Sequence, residues 1–154
     1  MKNPLLIAAD RLRRAYWFAV RPVSVGVLGL VTDEAGRILL VELTYRQGWY
    51  LPGGGVKRKE PLDDALRREL REEVGIELTA EPQLLGVYWN FAEQKSDYAA
   101  VFVVRDWRRK PARSLEIAAD GFFAPDELPA DTSPAARRRV AEHVAGRLGI
   151  YGAW

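Results

Sequence analysis

The sequence predicts a single α/β domain of the mixed, α+β kind, with a mixed β-sheet and helices on its faces. Three observations predict it. Strand-length runs rich in β-branched and aromatic residues are interleaved with stretches whose apolar residues recur at helical spacing. The helical stretches are of unequal length, which suits a mixed sheet covered by helices. The 154 residues contain no internal repeat and no linker long enough to divide domains, yet the chain is long enough to bury a real core.

The elements follow in chain order. Asn3 and Pro4 resemble a cap and first turn. Leu5, Leu6, Ala9, Leu12, Tyr16 and Ala19 then recur at helical spacing, so residues 1–20 are expected to form a helix appended to a domain of residues 21–154. Its apolar stripe is expected to pack on the core or on a second copy in a homodimer. VSVGVLGLV (23–31) and RILLVEL (37–43), separated by the turn residues TDEAGR, read as a β-hairpin. TYRQGWYLPGGGV (44–56) is a strand end broken by Gly and Pro. A long helix is expected from Pro61, well suited to a first helical position, to a stop at Gly75. QLLGVYWNF (83–91) and YAAVFVVRDW (98–107) read as strands around the polar loop AEQKSD. RRKPARS (108–114) reads as a basic loop and EIAADGFFA (116–124) as a short strand. Ser133 and Pro134 open a last helix, with Val140, Val144 and Leu148 as its apolar stripe and Gly149 as its end.

Composition narrows the chemistry. The chain has no Cys, which excludes disulfides, thiol nucleophiles and Cys-ligated zinc. The lone His143 cannot build a His-based metal site. Any metal must be held by oxygen, which favours hard ions such as Mg²⁺ or Mn²⁺. The formal charge of +2 is small, and the pI near 9.0 reflects abundant Arg more than a basic block; a solubilising surface is expected, not a nucleic-acid partner. The N-terminal charges follow the short apolar run instead of preceding it, unlike a signal peptide. No stretch approaches the roughly 20 apolar residues of a spanning helix. A cytoplasmic location without membrane contact is the expectation.

The helix expected over 61–74 carries an anomaly. At about 100° per residue, Leu62, Ala65, Leu66, Leu70 and Val74 form one apolar stripe, and Glu69 and Glu73 fall inside it, with Glu72 at its edge. A carboxylate on a core-facing stripe is costly unless paired or bound to a metal. Residues three and four apart on a helix are neighbours, so Glu69, Glu72 and Glu73 converge, and close carboxylates repel until a cation or a proton relieves them.

Immediately before the helix stands LPGGG (51–55), whose glycines let backbone approach a ligand closely. From Gly54 onward the run reads Gly54, five residues, Glu60, seven residues, then Arg68, Glu69, Leu70, Arg71, Glu72, Glu73, Val74, Gly75, Ile76. This resembles the signature box of the Nudix hydrolases, G-x5-E-x7-R-E-U-x-E-E-x-G-U with U a bulky aliphatic, and every defined position is met. The resemblance covers roughly residues 22–148. It implies a Nudix-type α/β/α sandwich and a Mg²⁺- or Mn²⁺-dependent enzyme of the MutT-like kind. Such an enzyme hydrolyses a pyrophosphate bond in a nucleoside diphosphate joined to another group X. By the same resemblance Glu72 and Glu73 hold the metal, Glu69 is a further ligand or the base acting on water, and the carbonyl of Gly53 is a backbone ligand. Arg68 orients the acids by charge-assisted hydrogen bonds. Glu60 and Gly54 support the loop–helix corner, Glu60 with the alternative role of ligand to a second ion. Lys59 departs from the family, where glycine is common at that position.

Outside the box, many family members recruit a further acid; Glu93, Asp97 and Glu116 are the candidates here. Trp49 and Trp89, with Tyr45, Tyr88 and Phe91, are candidates to line a substrate pocket, and Arg46 and Lys57 to meet phosphates. Two other readings stand beside the leading one: a nucleotide-sensing module without turnover, and a hydrolase acting on RNA 5′ ends.

Overall fold

The structure, a computed structural model, describes residue 12 and residues 23–91, 96–112 and 114–154. The helix expected over 1–20, any dimer contact through it, and Glu93 lie outside the described residues. Among the described residues the strands are β1 Val23–Val31, β2 Ile38–Leu43, β3 Arg46–Tyr50, β4 Gly53–Gly55, β5 Ile76–Leu78, β6 Gln83–Asn90, β7 Ser96–Val104, β8 Trp107–Arg109, β9 Ile117–Phe123 and β10 Ile150–Ala153. The helices are α1 Leu62–Val74, between β4 and β5, and α2 Pro134–Val144, between β9 and β10. None of these is long and apolar enough to cross a membrane.

The main sheet has the order β10-β6-β7-β1-β4, with smaller sheets β3-β2-β9 and β5-β8. It is mixed. β1 runs parallel to β7 from Val23↔Ser96 to Val31↔Val104, and β10 parallel to β6, while β4 lies antiparallel to β1 and β6 antiparallel to β7. Side chains alternate between the faces. Val27, Val31, Ala100, Phe102 and Val104 meet Ala65, Leu66, Leu70 and Val74 of α1. Leu30, Val101, Val103 and Tyr88 meet Ala136 and Val140 of α2 on the opposite side. The two helices thus sandwich the sheet, the mixed α+β architecture that the sequence predicts.

Four local expectations are corrected. The turn between β1 and β2 forms, with Asp33 Oδ1 accepting the N–H groups of Ala35 and Arg37 and an isolated bridge Thr32↔Ile38. The strands nevertheless part instead of forming a hairpin. Both edges of β1 are already taken by β4 and β7, so β2 pairs with β3 and β9. Pro61 is the N-cap of α1, with extended ψ of 151°, and the first helical residue is Leu62. The basic stretch after residue 107 begins as β8, paired with β5. Helix α2 ends at Val144, and Val144 and Leu148 are 63% and 50% exposed. The buried face of α2 is Ala135, Ala136, Arg139 and Val140.

Arg139 holds a core position because its charge is answered there. Its guanidinium lies 3.7 Å from the Tyr88 ring centroid, and Nη2 donates to Glu142 Oε1 at 3.0 Å. Its Nε is 2.8 Å from Glu142 Oε2 but too far off-axis for a hydrogen bond. Tyr88 Oη donates to Glu142 Oε2 at 2.8 Å, so one carboxylate serves both.

The turn ahead of α1 is strained at one residue. Lys59 has φ of +62°, alone among the described non-glycine residues in the left-handed region. The turn is closed by Glu60 N–H to Lys57 O at 3.1 Å and Lys57 N–H to Glu60 Oε2 at 2.8 Å. Left-handed backbone costs an L-residue about 1–2 kcal/mol, and glycine's greater unfolded-state freedom offsets roughly 0.5–1 kcal/mol of any relief. Lys59→Gly is therefore expected to stabilise the protein by up to about 1 kcal/mol, read as a higher urea midpoint at unchanged slope. A lowered midpoint would show that the lysine side chain contributes more than its backbone costs.

Candidate active site

The glycine strand β4 lies against the acidic face of α1. Gly53 has φ of +141°, and a Cβ there would overlap the Val27 carbonyl. Its N–H donates to Glu73 Oε2 at 2.8 Å. A Cβ on Gly54 would come within 2.7–2.8 Å of the Glu69 carboxyl group, so the approach of strand to helix depends on the missing side chain.

Arg68 ties the corner together. Its Nε and Nη2 grip Glu60 at 2.7 and 2.8 Å, Nη1 donates to Glu69 Oε1 at 2.6 Å, and Nη2 also donates to Gly55 O at 3.0 Å. A planar guanidinium meets all of these at once, which an ammonium does not. Arg68, with a backbone N–H second, holds the Glu60 carboxyl down at about 2. Glu60 is thereby engaged in supporting the turn. Glu72 lies outward, half exposed, 3.6 Å from Arg68 Nη1.

Glu73 is the perturbed group. Burial pushes its carboxyl up, the Gly53 N–H opposes this, and the charges of Glu69, Glu116 and Glu72 push it further, to about 8. The acids on the apolar stripe are therefore crowded and desolvated, as the sequence pattern implies.

Glu69, Glu73 and Glu116 line one cleft of about 630 Å³ together with Gly53, Gly54 and Gly55. Leu28, Val41, Leu43 and Leu51 give it an apolar side. The first turn of α2 closes another side with Ser133, which accepts from Ala136 N–H at 3.2 Å, and with Arg138. Arg46 also lines the cleft, its guanidinium 4.7 Å from the Tyr50 ring centroid. Tyr45 lines it as well, whereas the other expected substrate contacts among the described residues lie elsewhere. Trp49 packs edge-on against Phe123 at 4.9 Å. Lys57 is exposed in the turn before Glu60. Trp89 contacts Tyr151 at 4.7 Å and Phe91 at 6.5 Å, away from the acids. Asp97 accepts from Ser24 Oγ at 2.7 Å in an adjoining hollow. Of the two later acids that lie among the described residues, Glu116 is on the cleft wall and Asp97 is not. Arg138, Tyr50 and Trp154 also line it, and the sequence reading missed them. The run IYGAW carried a weak strand signal, but nothing in it names the pairing with β6 that brings Trp154 there.

The donor set suits a hard cation. Among the described residues no cluster of three acid or histidine groups closes a metal cage by itself. The cleft instead offers carboxylates whose mutual repulsion a cation relieves. Mg²⁺ in particular binds through one or two carboxylates and completes its shell with waters and phosphate oxygens.

Two outcomes follow from this geometry. With a chelator present, Glu73 is protonated in both folded and unfolded chains below its ordinary value of 4.5, and stability is then full. As pH rises toward about 8 the unfolded chain loses a proton that the fold retains, so stability is lost across that window and levels off above it. Thermal midpoints measured from pH 4 to 9 should show this fall, and Glu73→Gln should flatten it; an unchanged slope in the variant would assign the effect elsewhere. Arg68→Lys, which keeps charge but loses the fork, should lower turnover by about 10–100-fold along with thermal stability, measured on the same preparation. Turnover like that of the wild type would show that the fork is dispensable.

Comparison with known proteins agrees with the fold and the box. Residues 20–144 match the NUDIX domain family. A MutT-like protein of Streptomyces ambofaciens is 33% identical over 125 residues, 81% of this chain and 74% of that protein. An RNA pyrophosphohydrolase of Pseudomonas savastanoi is 41% identical over 54 residues, which is 35% of this chain and 33% of that protein. The crystal structure of a MutT NUDIX hydrolase from Burkholderia pseudomallei superposes with a TM-score of 0.69 at 30% identity, over 79% of this chain and 98% of that one. A match that runs through the box and spans most of the domain is decisive: the chain belongs to the Nudix hydrolase family.

Proposed function

We propose that this Nudix pyrophosphohydrolase cleaves the pyrophosphate link of a nucleoside diphosphate joined to another group, in the cleft between β4, α1 and the first turn of α2, with Mg²⁺ or Mn²⁺. The observation that carries the reading is the convergence of Glu69, Glu73 and Glu116 with the glycine strand in that one cleft. The pressure on Glu73 to keep its proton supports it.

Glu69 and Glu73 would hold the cation, with Glu72 turning in from the solvent side. When bound, the cation would neutralise the carboxylates and the diphosphate and lower the pKa of a water, so that once deprotonated it could attack phosphorus. Arg68 fixes the Glu60 and Glu69 carboxylates before substrate arrives, so little reorganisation is needed at the moment of reaction. The Gly53 N–H orients Glu73 Oε2. Glu116 reaches the cleft from the β8–β9 connection and is suited to accept the proton of the attacking water. Arg46 and Arg138 sit where phosphate oxygens carry negative charge. The apolar wall around Leu28 and Leu43 excludes water from the reacting end.

The test is turnover of a panel with and without divalent cation: nucleoside triphosphates, ADP-ribose, dinucleoside polyphosphates, sugar nucleotides and 5′-triphosphorylated RNA. Cation-dependent release of a nucleoside monophosphate or of inorganic phosphate from at least one of them is expected. Glu73→Gln should reduce it by at least about 100-fold, a loss of roughly 3 kcal/mol. Tight nucleotide binding without turnover would favour a sensing module. Turnover confined to RNA, falling steeply with salt, would favour the RNA 5′-end reading, for which the Pseudomonas relative is the support.

A further inference from the structure

Beside the acid cleft, on the α2 face of the main sheet, lies a second hollow of about 310 Å³. Its floor is made where side chains are small or missing. Gly55, Gly26 and Ala99 are register partners across β4, β1 and β7. A Cβ added to Gly55 would meet nothing within 4 Å, so the space above it is open. Two residues further along, Ser24, Asp97 and Asn90 are register partners in turn, and the two-residue alternation of strands puts this polar row on the same face. The hollow is therefore flat-floored, with hydroxyl, carboxylate and amide groups at its far end. Leu28, Gly54, Gly55 and Trp154 line both this hollow and the acid cleft, so the two spaces adjoin across them.

Trp154 is fixed at that junction by contacts of different kinds. Its backbone N–H donates to Trp89 O at 2.9 Å, and its carbonyl accepts from Arg138 Nη2 at 2.6 Å. Its ring meets the Tyr88 ring at 6.0 Å and 63°, and the Arg139 guanidinium stands 5.5 Å from its centroid. The buried Arg139–Glu142–Tyr88 cluster, which has no part in the acid chemistry, thus braces an aromatic side chain at the mouth of the cleft. A side chain ordered beforehand loses little freedom on binding, and an indole offers a broad apolar face to a planar ring.

We propose that Trp154 is a specificity-determining residue: it is the wall against which a planar heteroaromatic ring carried by the diphosphate is held, with that ring in the flat hollow and its edge toward Ser24, Asp97 and Asn90. This rests on the reading of the chain as a hydrolase of nucleoside diphosphate derivatives and names the part of the substrate that the acids do not contact. Arg139 and Glu142 are positioning residues in this scheme, acting through Tyr88 and Trp154.

The test is equilibrium binding by calorimetry to the full chain with Mg²⁺, comparing ADP, CDP, GDP and UDP with inorganic pyrophosphate. In the wild type at least one nucleoside diphosphate should bind more tightly than pyrophosphate. Trp154→Ala should weaken nucleoside diphosphate binding by about 10–100-fold and leave pyrophosphate binding unchanged, while Trp154→Phe retains most of the preference. Trp154→Leu, which keeps apolar packing on Tyr88, serves if the alanine variant does not fold, and the same loss is expected. The proposal is overturned if the wild type shows no preference for a base, if the preference survives in the alanine or leucine variant, or if pyrophosphate binding is lost in parallel. Failure of the functional reading would appear separately, as an absence of turnover in the substrate panel.

Discussion

Between the glycine strand and helix α1 there is room for a carboxyl group and none for a methyl. The Glu69 carboxyl occupies the place that a side chain on Gly54 would take, and Gly53 turns its N–H onto Glu73. This contact sets the distance between sheet and helix. It also decides which carboxylates face the cleft, and it forces acids into a poorly solvated space where like charges meet. Arg68 is the answer to part of that charge: it satisfies Glu60 and Glu69 and leaves Glu73 uncompensated. The imbalance is local and directional, and a cation bound in the cleft would relieve it.

Among the described residues, Arg68 and Arg139 are held inside the fold in different ways. Arg68 works at a partly wet corner, where hydrogen bonds to carboxylates and a backbone carbonyl define a geometry. Arg139 is 2% exposed and is tolerated because an ion pair and two aromatic rings replace its water. The first shapes the reacting end and the second supports the far wall. They lie on opposite faces of the same sheet, so the cleft is braced from both layers of the sandwich.

Much of the chemistry was legible because it is local. The acids, the arginine and the glycines that matter lie within one short run, and carboxylates on an apolar helical stripe are conspicuous before any fold is known. The main strands were legible from their β-branched runs. What was missed depends on partners distant in sequence. β1 and β2 read as a hairpin because the turn is a good one, but β1 gives its edges to β4 and β7. Of the α2 stripe Val140 is buried as read, but the helix ends at Val144, which stands in solvent with Leu148, and the buried Arg139 gives no hydrophobic signal. Strand β10 exists through its pairing with β6, and nothing near Tyr151 announces that partner. Trp49 looked like a pocket residue from its position before LPGGG, but Phe123, far along the chain, claims its ring.

The parallel pairing of β1 with β7 has a kinetic meaning. Ser24 and Asp97, joined by a hydrogen bond, are separated by 73 residues, and β10 joins β6 only after α2 has been laid down. Parallel neighbours with such separations must close long loops before their contacts contribute, which slows folding relative to chains rich in local contacts. The helix that carries the acids is local and can form early, whereas the cleft needs both distant pairings. Catalytic competence should therefore be among the last properties a refolding chain acquires, well after its helical signal has returned.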